Sequence, residues 1–205
     1  MSEGPAHAPA RERWNERYAG DGFRPFDVDP AEWLAEHHGL LGELAGERDA
    51  PRALDVACGD GRNARLLAEL GFAVDAIDVS DVAVAALRAA AAERGLRVTA
   101  AVVDLESDGL PDGTWDVVVC VNYLQRDLFA GLQDALTAGG LLLCETFARA
   151  HVEELGRPFN PAYVLDRNEL LRAFCDLHVR HYREGVAERR DEPRGVASIV
   201  AQRLV

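Results

Sequence analysis

With 48% hydrophobic and 28% charged residues, a chain of 205 residues has ordinary globular composition and is long enough to bury roughly 70% of its unfolded surface in one domain. Its formal net charge of -13 repels polyanions, which argues against nucleic acid or an anionic membrane face as partner. All 22 basic residues are arginine, so a Schiff-base lysine and a P-loop lysine are both excluded.

In chain order, residues 1–10 read as a tail rich in Pro and Ala, without the apolar core of a signal peptide. Residues 11–20 form a charged helix that puts Trp14 and Tyr18 on one face. A loop over 20–30 precedes "AEWLAEHHGLLGELA", read as one amphipathic helix. From Pro51 the pattern turns regular. Strands are expected at "RALDVA", "FAVDAID", "RVTAAVVD", "WDVVVCVN" and "LLLCETF". Between them come helices at 61–70, closed by Gly71, at 80–95, capped by Ser80, and at 127–137. The fourth strand is apolar on both faces and belongs in the centre of a covered sheet.

After a long connection, "DRNELLRAF" is a helix with Asp166 and Glu169 at capping-box spacing. "LHVRHYREGVAE" and "RGVASIVAQRLV" then form an antiparallel hairpin at the sheet edge, since no long helix joins them. His178 and His181 are three apart on that strand and so face opposite sides. The fold expected is an α/β, single-domain, Rossmann-like doubly wound sheet of seven strands. It is mostly parallel, ends in an antiparallel hairpin and has helices on both faces. Residues 11–50 form an N-terminal helical lid and residues 51–205 the core. No apolar run reaches the ~20 residues of a membrane span, and a cytoplasmic protein is expected. Cys58, Cys120, Cys144 and Cys175 show no C-x-x-C pair, and no metal site is expected.

"LDVACGDGRNARLLAELG" carries the chemistry. Gly59-x-Gly61-x-x-Ala64 fits a dinucleotide loop, yet Asp55 and Asp60 stand where a pyrophosphate would be repelled. A ligand with positive groups and no phosphate reverses that sign, and S-adenosylmethionine, with a sulfonium and an α-ammonium, is such a ligand. Loop N–H groups then suit its carboxylate, and the strand ends suit its cations.

This stretch resembles the first motif of class I S-adenosylmethionine-dependent methyltransferases. The resemblance continues through Asp78, through Asp104-Leu105, through "WDVVVCVNYLQRDLF" and through the terminal hairpin. Within that class, "RWNERYAG", "GRN", "NYLQRDLF" and "GRPFNPAYVLDRNELLRAF" are similar to the small tellurite-resistance-type methyltransferases. The resemblance implies S-adenosyl-L-methionine as cofactor, leaving as S-adenosyl-L-homocysteine. It implies contacts at Trp14 and Arg17 of the lid, at Asp55, Ala57, Cys58, Gly59, Asp60, Gly61 and Asn63 of the loop, and at Asp78, Val79, Asp104, Leu105 and Asn122.

Asp78 is placed for the ribose hydroxyls, Asp104 for the adenine amino group, and Arg17 for the cofactor carboxylate. Tyr123 and Arg126 follow the fourth strand and are the catalytic candidates. Arg126, with Arg157, would recognise an anionic acceptor; the alternative is that Arg126 pairs with a carboxylate and anchors the helix. The acceptor is a small molecule, a soft or anionic nucleophile such as a chalcogen oxyanion or thiolate. An oxygen or nitrogen nucleophile would instead draw on Tyr123 or Glu145 as base. A nicotinamide-dependent oxidoreductase and a non-catalytic cofactor-binding module are the rival functions.

Overall fold

The computed structural model describes residues 10–20 and 23–204; most of the expected N-terminal tail, residues 1–9, lies outside them. Seven strands form one sheet in the order β3-β2-β1-β4-β5-β7-β6. β1 (Arg52–Val56), β2 (Ala73–Asp78), β3 (Val98–Val102), β4 (Trp115–Val121) and β5 (Leu136–Phe147) run parallel. β7 (Arg194–Gln202) pairs antiparallel between β5 and β6 (His178–Ala187). The order reverses between β1 and β4, where connections leave in opposite directions and a crevice opens beyond the carboxyl ends.

Every residue of β4 is buried, as its two-sided apolar sequence requires. One face packs under α2 (Glu32–Glu36), α3 (His38–Glu47), α4 (Arg62–Glu69) and α5 (Asp81–Arg94) through Leu34, Leu41, Leu67 and Leu87. The other packs under α6 (Phe129–Asp134) and α8 (Glu169–Ala173) through Leu132 and Leu170. α1 (Ala10–Tyr18) sits against the start of α5, where Ser80 caps the helix by accepting the Ala83 N–H at 3.1 Å.

Four local expectations change. The helix over 31–45 breaks at His37, whose ring contacts the Trp33 carbonyl at 2.7 Å while its N–H turns to Leu34 O at 3.1 Å. The helix over 127–137 is shorter, a 3₁₀ turn at Arg126–Leu128 followed by α6. β5 accordingly starts at Leu136 and absorbs the "AGG" turn as an irregularity, which the left-handed backbone of Gly139 (φ 76°) permits. Only half of the capping box forms: Glu169 accepts the Asp166 N–H at 2.6 Å, but the Asp166 side chain pairs with Arg149. Finally, His178 and His181 share a face. A bulge at Arg180 brings His178 opposite Gln202 and His181 opposite Val200, and His181 meets the His37 ring at 4.8 Å.

Candidate active site

Where β1 ends, Ala57 (φ 54°), Gly59 (φ 53°) and Gly61 (φ 76°) alternate in the left-handed region. A Cβ on Gly59 would lie 2.5 Å from the Tyr18 hydroxyl, and one on Gly61 2.4 Å from Leu87, so sterics as well as φ select glycine at both positions. Ala57 holds the same conformation with a side chain, a strain of about 1–2 kcal/mol placed beside the crevice. The loop is tied to β2: the Cys58 N–H donates to Ile77 O at 2.9 Å and the Gly59 N–H to Asp78 Oδ2 at 2.9 Å.

Three carboxylates surround this loop. Asp55 is 1% exposed, its Oδ2 is buried with no hydrogen-bond partner, and burial pushes its carboxyl up to about 8. The Ala64 N–H opposes that rise, whereas Asp60 adds to it. Asp78 is also buried and also raised by desolvation, in part offset by the N–H groups of Ser80 and Gly59 that its two oxygens accept. Asp60 is half-buried and accepts the Arg62 N–H at 3.2 Å. Burial pushes the Cys58 thiol well up, with Asp55 adding to it, so it stays protonated.

Above the loop lies α1. Trp14 stacks on Tyr18 at 5.9 Å, and the exposed Arg17 guanidinium lies 5.3 Å from the Trp14 ring. Tyr18 is the larger discovery. Its phenol is raised first by burial and then by Asp78 and Asp60, so it stands among the loop's acids. Asn15 fastens the helix by accepting the Ser80 hydroxyl at 2.7 Å and donating to Asp81. The Trp14–Tyr18 spacing was the available signal for Tyr18; nothing local marked Asn15.

Along the strand ends, the Val103 N–H donates to Asp78 O at 2.9 Å, bringing Asp104 and buried Leu105 beside half-buried Val79. Asp104 Oδ1 accepts the Glu106 N–H at 3.1 Å. Asn122 turns at φ 59°, its N–H on Glu145 O at 2.8 Å and its side chain exposed. The Tyr123 hydroxyl donates to Gln125 Oε1 at 2.7 Å, and Gln125 Nε2 to Leu105 O at 3.1 Å, a link across the crevice not foreseen from sequence. Burial and then Glu106 raise the Tyr123 phenol, which disfavours a phenolate base.

Several expected residues are engaged by other parts of the protein. Asn63 is buried with its Oδ1 accepting the Ala31 N–H at 3.0 Å, so it ties α4 to the N-terminal segment. Arg126 is scaffold. Its Nε and Nη2 fork onto Glu169 at 2.7 and 3.1 Å, and its remaining donors reach Ala162 O and Val164 O at 3.0 Å. Arg157 bonds Pro193 O and pairs with Glu192, each at 3.0 Å. Glu145, considered as a base, is held by Arg189 at 2.6 Å and Arg183 at 3.3 Å. A surface groove of about 530 Å³ is lined by Trp33, Glu36 and His37 from the N-terminal helices and by His181 and Tyr182 from β6.

Residues 53–140, from β1 into β5, match the methyltransferase domain family. A ubiquinone biosynthesis O-methyltransferase of Burkholderia multivorans is 30% identical over 136 residues, which is 62% of this chain and 55% of that protein. The probable S-adenosyl-L-methionine-dependent methyltransferase TehB of Haemophilus influenzae is 23% identical over 158 residues, 74% of this chain and 54% of that protein. Through this domain match and these relatives the chain is similar to S-adenosylmethionine-dependent methyltransferases. The crystal structure of the Haemophilus influenzae TehB shares the fold, with a TM-score of 0.66 at 20% identity, covering 81% of this chain and 62% of that one. The chain spans about half the length of these curated relatives. Among the described residues, no helix is long and apolar enough to cross a membrane.

Proposed function

We propose that this chain moves the sulfonium methyl of S-adenosylmethionine to a small-molecule acceptor, a soft or anionic nucleophile such as a chalcogen oxyanion or thiolate. The observation that carries this reading is Asp55: a carboxylate 1% exposed, its Oδ2 without a partner, beneath a glycine loop already flanked by Asp60 and Asp78. An unpaired buried carboxyl is costly, and a cationic ligand relieves that cost while a pyrophosphate increases it. The acids therefore favour S-adenosylmethionine over a nicotinamide dinucleotide.

The residues fit that group. Asp55 suits the ammonium, and the N–H groups of Ala57 to Gly61 suit the carboxylate, with Arg17 from the lid as a second partner. Asp78 suits the ribose hydroxyls, Asp104 the adenine amino group, and Val79 and Leu105 its ring. Trp14 and Tyr18 close over them, so the domain works as one unit: residues 11–50 as lid, 51–205 as core. When bound, the cofactor supplies an electrophilic methyl, and charge disperses as the sulfonium becomes a thioether.

The chain's own task is to hold a nucleophile in line about 3–3.5 Å from that methyl and to keep water away. No general base is required for a nucleophile that arrives ionised. This agrees with a Tyr123 phenol made less acidic by burial and a Glu145 carboxylate engaged by two arginines.

Thermal shift with S-adenosylhomocysteine against NADH, followed by mass spectrometry on thiolate and selenite panels, tests this. Stabilisation by S-adenosylhomocysteine and a product one methyl heavier are expected. Stabilisation by NADH alone overturns the reading. Binding without methyl turnover on any acceptor assigns the chain to a non-catalytic module.

A further inference from the structure

Three buried nitrogen donors without a hydrogen-bond partner gather about one carboxylate. Glu145 is 5% exposed, and it lies opposite Val121 at the carboxyl end of β4. Its Oε2 accepts from the Ser198 hydroxyl, from Arg189 Nη2 at 2.6 Å and from Arg183 Nη2 at 3.3 Å. The Arg183 guanidinium also lies 4.7 Å from the Trp33 ring. Trp33 Nε1, Arg183 Nε and Arg189 Nη1 are the donors left over. Trp33 is only 4% exposed and the Arg189 side chain 6%. Arg189 Nη1 faces Glu32 at 3.5 Å without hydrogen-bonding it, and Arg183 Nη1 meets Glu36 at 3.4 Å.

Charge and position give this cluster a direction. Its inner set is two guanidiniums against one carboxylate and is one negative charge short. Glu32 and Glu36 on α2, whose side chains are 28% and 48% exposed, more than make up that deficit, each from the outer side of one guanidinium. Buried N–H groups are rarely left unpaired, and several together mark a place where an acceptor atom belongs. The cluster stands on the α2–α5 face beyond the ends of β4 and β5, where ligands of open α/β sheets collect.

We propose that Arg183, Arg189 and Trp33 form the recognition site for an oxyanion borne by the methyl acceptor, with Glu32 and Glu36 of α2 holding the anion's place until the acceptor enters. The proposal rests on the methyltransferase reading and adds which residues select the acceptor. The oxyanion is either an organic carboxylate or an inorganic oxyanion. Either kind satisfies the leftover donors and completes the charge of the inner set; a neutral amide does neither. Binding the anion displaces α2's two carboxylates, so acceptor binding and movement of α2 are coupled.

The test titrates the full chain, saturated with S-adenosylhomocysteine, with acetate, benzoate and sulfate against benzamide, by calorimetry. At least one anion should bind tenfold or more tighter than benzamide, and the order of carboxylates against sulfate identifies the source. Trp33→Phe keeps the ring, removes one donor and should weaken that anion about 3- to 10-fold. Glu32→Gln removes the competing carboxylate and should tighten it several-fold, an outcome that a purely structural ion pair does not produce. Arg189→Met should abolish discrimination; if it fails to fold, the Trp33 and Glu32 variants decide. Equal binding of anions and benzamide, or a Glu32→Gln variant with unchanged or weaker anion binding, overturns the proposal. Failure to bind S-adenosylhomocysteine is a separate result that removes the methyltransferase reading itself.

Discussion

Cofactor affinity should depend on pH through Asp55. Its carboxyl is pushed up to about 8, chiefly by burial, from an ordinary value near 4. Between those values the folded protein binds a proton that the unfolded chain has released. Stability therefore falls as pH rises from about 4 to about 8, by at most roughly 5 kcal/mol, and is flat above that range. An ammonium beside Oδ2 favours the ionised form. If it restores the ordinary value, binding at pH 6 must expel the proton, and the Kd for S-adenosylhomocysteine rises about 50-fold over its value at pH 8. Calorimetry at pH 6, 7 and 8, in buffers of different ionisation enthalpy, measures both the Kd and the released proton. Asp55→Asn keeps the shape, removes the titration and should flatten the profile. A wild-type Kd that is level between pH 6 and 8, or a slope that persists in Asp55→Asn, refutes this account.

Asp78→Ala frees the N–H groups of Gly59 and Ser80 and should weaken S-adenosylhomocysteine binding by about 1.5–3 kcal/mol. Unchanged affinity in a folded variant would take Asp78 out of the site. Arg126→Met removes a fork onto Glu169 and two carbonyl contacts, so stability should fall by about 1–3 kcal/mol while kcat/KM for the acceptor stays within about twofold. A 10- to 100-fold loss of kcat/KM at unchanged Tm would return Arg126 to acceptor recognition. Ser80→Ala removes the α5 cap and Asn15's partner, costing about 1 kcal/mol in denaturant unfolding and speeding hydrogen exchange in α1. Tyr123→Phe should keep kcat within about threefold if no base is used; a hundredfold loss would show proton transfer at that hydroxyl.

Much of the scaffold could be read residue by residue. The Ser80 cap and the left-handed Gly95 that ends α5 depend on bonds within a few positions, and the strands, helices and terminal hairpin on local periodicity and turn residues. The acid-flanked loop was legible for the same reason, since Asp55 near the end of β1 and Gly59, Asp60 and Gly61 of the turn after it lie within seven residues. The pairing alternative for Arg126 could not be chosen from sequence because its partner lies 43 residues away on α8. The Asn63 link to Ala31 was not legible because the N–H it accepts lies 32 residues back. His178 and His181 were separated by counting residues, when a bulge at Arg180 puts them on one face.

The sequence by itself determined the order and type of most elements along the chain and the sign of charge around the glycine loop, because periodicity, capping and loop chemistry are local. Only the tertiary structure decided which carboxylates Arg126 and Arg189 pair with, that Asp55 Oδ2 is buried without a partner among the described residues, and that Tyr18 lies over Gly59. Those depend on how α1, α2 and the hairpin pack over the sheet, and ion pairs between distant segments leave no periodic trace in the chain.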